Sequence, residues 1–127
     1  MTDILVIENN IDNMVMMKRW LGSMNCRTQE ALTGMAGLAA AQRNIPAIIL
    51  LDLNLPDIDG HQVISELKSS DSTKNIPVIA ITSNAMLGDE DRAKEAGFDD
   101  YIPNPVSLSA LITKMSSLGV NLSYKGL

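Results

Sequence analysis

The stretch Ala47-Ile48-Ile49-Leu50-Leu51-Asp52-Leu53-Asn54-Leu55-Pro56-Asp57-Ile58-Asp59-Gly60 narrows the possible fold more than any other part of the chain. It begins with a short apolar run that includes β-branched residues. Such a run fits a strand buried on both faces, although a buried helix segment gives the same pattern. Asp52 follows the run directly, and Pro56 and Gly60 then interrupt regular structure. In an open parallel sheet, ligands bind beyond the carboxyl ends of the strands. Asp52 is expected at that edge.

The same alternation recurs along the chain. Asp3 to Ile7 reads as strand one, ended by Glu8, Asn9 and Asn10. Asn9 or Asn10 is placed to cap the next helix by accepting from a free backbone N–H. Ile11, Met14, Met17 or Lys18, Leu21 and Met24 recur at helical spacing, and the methionines read as core filling. Cys26 to Thr28 is the weakest strand signal. Ala31 to Gln42 reads as helix two, with Gly34 and Gly37 lowering its intrinsic helicity by roughly 1 kcal/mol each. Strand three ends at Asp52, and Val63, Ile64 and Leu67 mark helix three. Pro77 opens strand four, Val78 to Ile81, which ends at Thr82, Ser83 and Asn84. Helix four runs from about Ala85 to Ala96 and stops at Gly97. Phe98 to Ile102 contains strand five, and Pro103, Asn104 and Pro105 form a rigid connection to helix five, marked by Leu108, Leu111, Ile112 and Met115. Short apolar strands alternating with amphipathic helices predict an α/β chain with a parallel sheet covered on both faces.

Composition excludes several function classes. A length of 127 residues fits one domain. We expect it to span residues 1–119, followed by a short tail over 120–127. A formal charge of -5 without a Lys/Arg block argues against direct nucleic-acid binding. The single cysteine, Cys26, offers no disulfide or thiolate metal framework and points to a reducing, cytoplasmic compartment. The apolar runs are too short to cross a bilayer.

Glu8 and Asn9 end strand one, Asp52 strand three and Thr82 strand four, while Asn104 follows strand five. If strands one, three and four are central, these side chains converge. Two carboxylates there raise each other's pKa unless a cation lies between them. Mg²⁺ suits such a place, because it binds through one or two carboxylates, waters and substrate phosphate. Aspartates also act as nucleophiles and become aspartyl-phosphates, and Thr82 can donate to a phosphoryl oxygen. A polar strand end is, equally, often just solvated.

The segments Ile4-Leu5-Val6-Ile7-Glu8-Asn9-Asn10, Leu51 to Gly60, and Ile76-Pro77-Val78-Ile79-Ala80-Ile81-Thr82-Ser83-Asn84-Ala85-Met86 stand in a telling order with Gly88-Asp89, Ala96-Gly97-Phe98-Asp99-Asp100-Tyr101 and Asn104-Pro105. In these the chain closely resembles the receiver domain of bacterial two-component response regulators, the CheY-like superfamily, in its single-domain and phosphorelay types. The resemblance runs from about Asp3 to Met115. It implies a flavodoxin-like doubly wound (βα)5 three-layer sandwich with strand order 2-1-3-4-5. Asp52 matches the phosphoacceptor, served by a histidine kinase or a histidine phosphotransfer protein. Glu8 matches the outer acid that holds Mg²⁺ mainly through water, and the backbone carbonyl of Asn54 a direct Mg²⁺ ligand. Thr82 matches the hydroxyl that closes on the phosphoryl group, Tyr101 the aromatic that swings inward with it, and Pro105 a proline commonly preceded by a cis bond. The face of helix four, strand five and helix five is where such domains change surface and meet a downstream protein partner. A monomer or weak dimer is expected. Such a domain is a phosphoacceptor with self-catalysed transfer and dephosphorylation rather than a conventional enzyme.

Two residues depart from the family. Asn9 stands where the family has an aspartate that ligates Mg²⁺ directly. It retains a neutral carbonyl oxygen but no charge, so the ion is expected to bind weakly. Asn104 stands where the family has a lysine that pairs with the phosphoryl group, and the charge-assisted contact is gone. Ser83 is a milder departure. The alternative function is therefore a phosphorylation-independent pseudo-receiver that acts as a protein–protein interaction module. A flavin site is disfavoured because Glu8, Asn9 and Asn10 provide no phosphate-cradling glycine. A haloacid-type phosphatase would need an aspartate where Asn54 stands, and no glycine-rich nucleotide loop follows any strand. His61 reads as a solvated or packing histidine, and Asp57 and Asp59 as loop-shaping acids without a calcium loop. Trp20 reads as half-exposed on helix one. Asp89, Glu90 and Asp91 are divided between matching a helix dipole and offering a partner surface.

Overall fold

The alternation of apolar runs and amphipathic segments is realised as five strands and five helices. A computed structural model describes residues 2–83, 89–120 and 122. The elements are β1 (Thr2–Ile7), α1 (Ile11–Ser23), β2 (Cys26–Ala31), α2 (Gly34–Arg43), β3 (Ile48–Asp52), α3 (Gly60–Ser69), β4 (Val78–Thr82), α4 (Asp89–Glu95), β5 (Asp100–Pro103) and α5 (Leu108–Ser117). The strands form one sheet in the order β2-β1-β3-β4-β5, and all neighbours are parallel. This is the flavodoxin-like (βα)5 sandwich.

Strand periodicity divides the core in two. Ile4, Val6, Leu50, Ile79, Ile81 and Ile102 face Met14, Met17 and Leu21 of α1 and Leu111 and Met115 of α5. Leu5, Ile7, Ile49, Leu51, Val78 and Ala80 face α2, α3 and α4 through Leu38, Val63, Ile64, Leu67 and Ala93. Both faces are covered, so the central strands read as continuous apolar runs rather than alternations. The buried methionines are core filling, as expected, and Trp20 is half-buried against the first cluster. Ile11, placed on the apolar stripe of helix one, is instead 58% exposed at the first position of α1.

Several boundaries differ from the sequence expectation. The second strand continues to Ala31, in register with β1 up to Ile7↔Ala31. It is an edge strand whose middle residues are partly solvated, so it lacks an apolar signature. Ala31 thus closes β2 instead of opening helix two. The helix begins at Gly34, where the Thr33 hydroxyl caps it by accepting from the Ala36 amide. The last strand starts at Asp100, within the expected stretch, and runs one residue past Ile102, while Phe98 packs in the core. Pro103 ends this edge strand, a position that tolerates a missing donor. Asn10, not Asn9, caps α1, and Gly97 takes φ 110° past α4. The expected start of helix four from Ala85 to Gly88, the strand-end residue Asn84, and tail residues 121 and 123–127 lie outside the described residues.

Gly34 and Gly37 lower helicity but allow close packing. A Cβ on Gly37 would lie 2.7 Å from Cγ1 and 3.1 Å from Cγ2 of the buried Ile7, and nearer still to its Cδ1. Gly22, near the end of α1, has nothing within 4 Å of that position. The same substitution therefore acts with opposite signs. Gly37→Ala lowers stability in urea unfolding by about 1–3 kcal/mol through overpacking, while Gly22→Ala raises it by up to about 1 kcal/mol. Equal effects at the two sites would show that packing on Ile7 does not limit α2.

Candidate functional site

The sheet order places the carboxyl ends of β1, β3, β4 and β5 side by side. Ile7 pairs with Leu51, so Glu8 emerges level with Asp52. Asp52 is held beside Ile81, and Thr82 beside Pro103. The Asn104 amide donates to the Thr82 carbonyl at 2.7 Å, and the Asn104–Pro105 bond that follows is cis.

Glu8 and Asp52 form the centre. Glu8 is 1% exposed and Asp52 8% exposed. Glu8 Oε2 accepts from the Asn10 amide at 3.1 Å and Oε1 from Asn13 Nδ2 at 3.2 Å. Asp52 Oδ1 accepts from the Asn54 amide at 2.9 Å. Burial pushes the Asp52 carboxyl up to about 7, with further upward pressure from a hydrogen bond shared with Glu8 and from its charge. The Asn54 amide pulls the other way. A proton on the pair would relieve the same repulsion that a cation relieves.

The remaining candidates surround this pair unevenly. The Asn54 amide contacts Asp52, while its side chain donates to Ser83 Oγ at 3.0 Å. Thr82 is buried at the strand end. Thr82, Tyr101, Asn54, His61 and Arg92 line one cavity of about 300 Å³ between the site and α4. Tyr101 is half-buried there. Asn9 is exposed, and its Nδ2 donates to the Leu32 carbonyl at 3.1 Å, in the turn between β2 and α2. Lys114 and Lys68 lie toward the opposite edge of the sheet, at the starts of β5 and β4. Lys114 pairs with Asp100 at 3.0 Å, and Lys68 donates to the Ile76 carbonyl at 3.0 Å.

The donor set fits a hard, hydrated divalent ion. Two carboxylates and neutral oxygens from Asn9 and Asn54 suit Mg²⁺. Among the described residues no group of three or more His, Cys, Asp or Glu is placed to hold a metal. Any ion therefore keeps water or phosphate oxygens in its shell.

The lesser candidates behave as loop chemistry. Asp59 caps α3 by accepting from the His61 amide. His61 is exposed, lies 3.1 Å from Asp59 Oδ1 through Nδ1, and meets Phe98 edge-on at 6.0 Å. Asp57 does something the sequence did not disclose: its two oxygens accept from the Gly34 and Met35 amides at 2.8 and 2.9 Å, capping α2 from a distant loop. Asn13, one helical turn into α1, was also missed as a partner of Glu8; an amide five residues beyond a strand-end acid was the available signal.

Comparison with known proteins identifies the family. The response regulator receiver domain family matches residues 4–116. The polar-differentiation response regulator DivK of Brucella anthropi is 33% identical over 114 residues, covering 90% of this chain and 93% of DivK. The receiver domain of sensor histidine kinase PA1611 from Pseudomonas aeruginosa, solved with a magnesium ion coordinated in its active-site cleft, superposes with a TM-score of 0.84 at 28% identity, covering 94% of this chain and 98% of that one. The Francisella response regulator 1452 receiver domain shares the fold at a TM-score of 0.85 and 23% identity, covering 93% and 96%.

The raised Asp52 carboxyl has a consequence for stability. An acid whose folded pKa lies above its unfolded value stabilises the fold at low pH and loses that contribution as pH rises through the folded value. The loss falls between the ordinary carboxylate range near 4 and about 7. Asp52→Asn removes it. In metal-free buffer the variant melts close to wild type at pH 4. Above pH 7 it is more stable by on the order of 2 kcal/mol, the full shift being roughly halved for solvent screening. Thermal unfolding from pH 4 to pH 8 checks this, and a difference that does not grow with pH would contradict it.

Proposed function

The chain belongs to the response regulator receiver domain family, and from that premise we propose that Asp52 is its phosphoacceptor, working with Mg²⁺ held by Glu8, Asp52, the Asn54 carbonyl and Asn9. The receiver fold and the kinship to response regulators support a phosphoacceptor and signalling function. The observation that carries the assignment to Asp52 is its position beside Glu8 at the end of β3, with one carboxylate oxygen fixed by the Asn54 amide.

Fixing Oδ1 leaves Oδ2 as the nucleophile. It forms a bond to phosphorus as the bond from phosphorus to the donor breaks, and the electron pair leaves on a histidine imidazole or, with acetyl phosphate, on acetate. A bound Mg²⁺ would supply positive charge that lets an anionic donor approach two carboxylates. The Thr82 hydroxyl donates to a phosphoryl oxygen, and Tyr101 follows it into the cavity the two share. Asn104 donates a neutral hydrogen bond where the family has a lysine, so transfer is slower than with a full positive charge. The donor is a histidine kinase or a histidine phosphotransfer protein. The output is a change at α4, β5 and α5 presented to a protein partner. We place the reaction in the cytoplasm, with the chain a monomer or weak dimer; no helix among the described residues is long and apolar enough to cross a membrane.

A pseudo-receiver that works by binding alone is favoured by one observation. The Asn9 amide is engaged by the Leu32 carbonyl, an arrangement that a metal-ligating aspartate could not adopt. Intact-protein mass spectrometry after incubation with acetyl phosphate decides between the two. With Mg²⁺ the wild type gains roughly 80 Da, one phosphoryl group, and the gain is absent without the ion or in Asp52→Asn. No gain under conditions that label an ordinary receiver would leave the pseudo-receiver reading. Asn104→Lys raises the rate of labelling about tenfold, the size of one charge-assisted hydrogen bond. Asn9→Asp lowers the Mg²⁺ concentration needed for half-maximal labelling.

A further inference from the structure

Two loops flank Asp52, and both are tied to a third. The β1–α1 loop carries Glu8, Asn9 and Asn10, and the β3–α3 loop carries Asn54 and Asp57. Asn9 Nδ2 donates to the Leu32 carbonyl at 3.1 Å. Asp57 takes the Gly34 and Met35 amides at 2.8 and 2.9 Å. Ile58 closes over Gly34 so tightly that a Cβ there would lie 3.0 Å from its Cδ1 and nearer to its Cγ1. Residues 32–35 are therefore held from both sides of the site.

That turn is itself fixed. On one side Ala31 ends β2 in register with Ile7, and its carbonyl accepts from the Glu8 amide at 2.9 Å. On the other, Thr33 caps α2 through the Ala36 amide at 3.1 Å. The polarity of the contacts matches the residue types. A carboxylate at position 57 suits the first amides of a helix, whereas only a donor at position 9 can reach a carbonyl. The family's aspartate cannot make the Asn9 contact. We propose that the β2–α2 turn, residues 32–35, braces the phosphoacceptor site, with Asn9 positioning the Glu8 loop and Asp57 positioning the Asn54 loop through it. This deepens the reading of Asp52 as phosphoacceptor and rests on it for its functional meaning.

The test reads geometry and chemistry separately. Amide hydrogen exchange in metal-free protein follows the Asn54 N–H, bonded to Asp52, and the Asn10 N–H, bonded to Glu8. Asp57→Ala speeds exchange at Asn54 about tenfold, and Asp57→Asn, which keeps one acceptor oxygen, gives a smaller change. Asn9→Asp speeds exchange at Asn10. Ser107→Ala removes the cap of a helix outside the brace, α5, and it leaves Asn54 at its wild-type rate. In parallel, Asp57→Ala slows phosphoryl uptake from acetyl phosphate by about threefold or more, as expected of a displaced site loop. Unchanged exchange at Asn54 in Asp57→Ala, or the same change in Ser107→Ala, would overturn the brace. If exchange responds as stated but the wild type takes up no phosphoryl group, the assignment of Asp52 falls and the brace stands. If the wild type is labelled while exchange at Asn54 ignores Asp57, the brace falls alone.

Discussion

Glu8 and Asp52 are held side by side at the edge of a sheet that excludes water from both. Two ionised acids in that position disfavour the folded chain, so a proton or a cation must lie between them. The surroundings are arranged to make the pair tolerable without cancelling it. Glu8 receives donors from Asn10 and Asn13, and Asp52 receives one from Asn54. The donors are neutral amides, which stabilise a carboxylate without bringing it a positive charge. The sheet supplies the rigidity. Strands buried on both faces fix where the two acids emerge, while the loops beyond them carry the groups that can adjust.

The two departures from the family act on the same balance. If the site takes a cation, Asn9 in place of an aspartate brings it less charge, and Asn104 in place of a lysine brings no fixed charge to Asp52. One acid and one base are absent together, so the net charge of the site is preserved while its polarisation is reduced. That combination explains how the fold accommodates both changes. A lone loss of the lysine beside three acids would leave a greater excess of buried negative charge, and a lone loss of the acid would leave a lysine facing only two.

The apolar interior was legible because it depends on local pattern. The strands β1, β3 and β4 could be read from their runs, and with them the edge at which Asp52, Thr82 and Glu8 meet. The edge strand β2 was short in the sequence reading because Arg27, Gln29 and Glu30 stand where an interior strand would be apolar; pairing with β1, not side-chain burial, defines it. Asp57 could be assigned to loop chemistry but not to its helix, since the amides it takes lie 22 and 23 residues away. Gly34 and Gly37 looked like weaknesses in a helix. Against Ile58 and Ile7 they are the reason that the helix can sit where it does.

Asn9 illustrates how far a residue-type argument reaches. From the sequence, its amide counted only as a lost charge with a spare oxygen for a metal. The structure gives the other half of the group a partner: Nδ2 bonds the Leu32 carbonyl, which leaves Oδ1 as the atom available to an ion. An asparagine amide can donate to a carbonyl and still present an oxygen. The substitution therefore exchanges charge for connectivity. Under the proposed assignment, the residue that brings less charge to an ion is also the one that bonds its loop to the neighbouring turn.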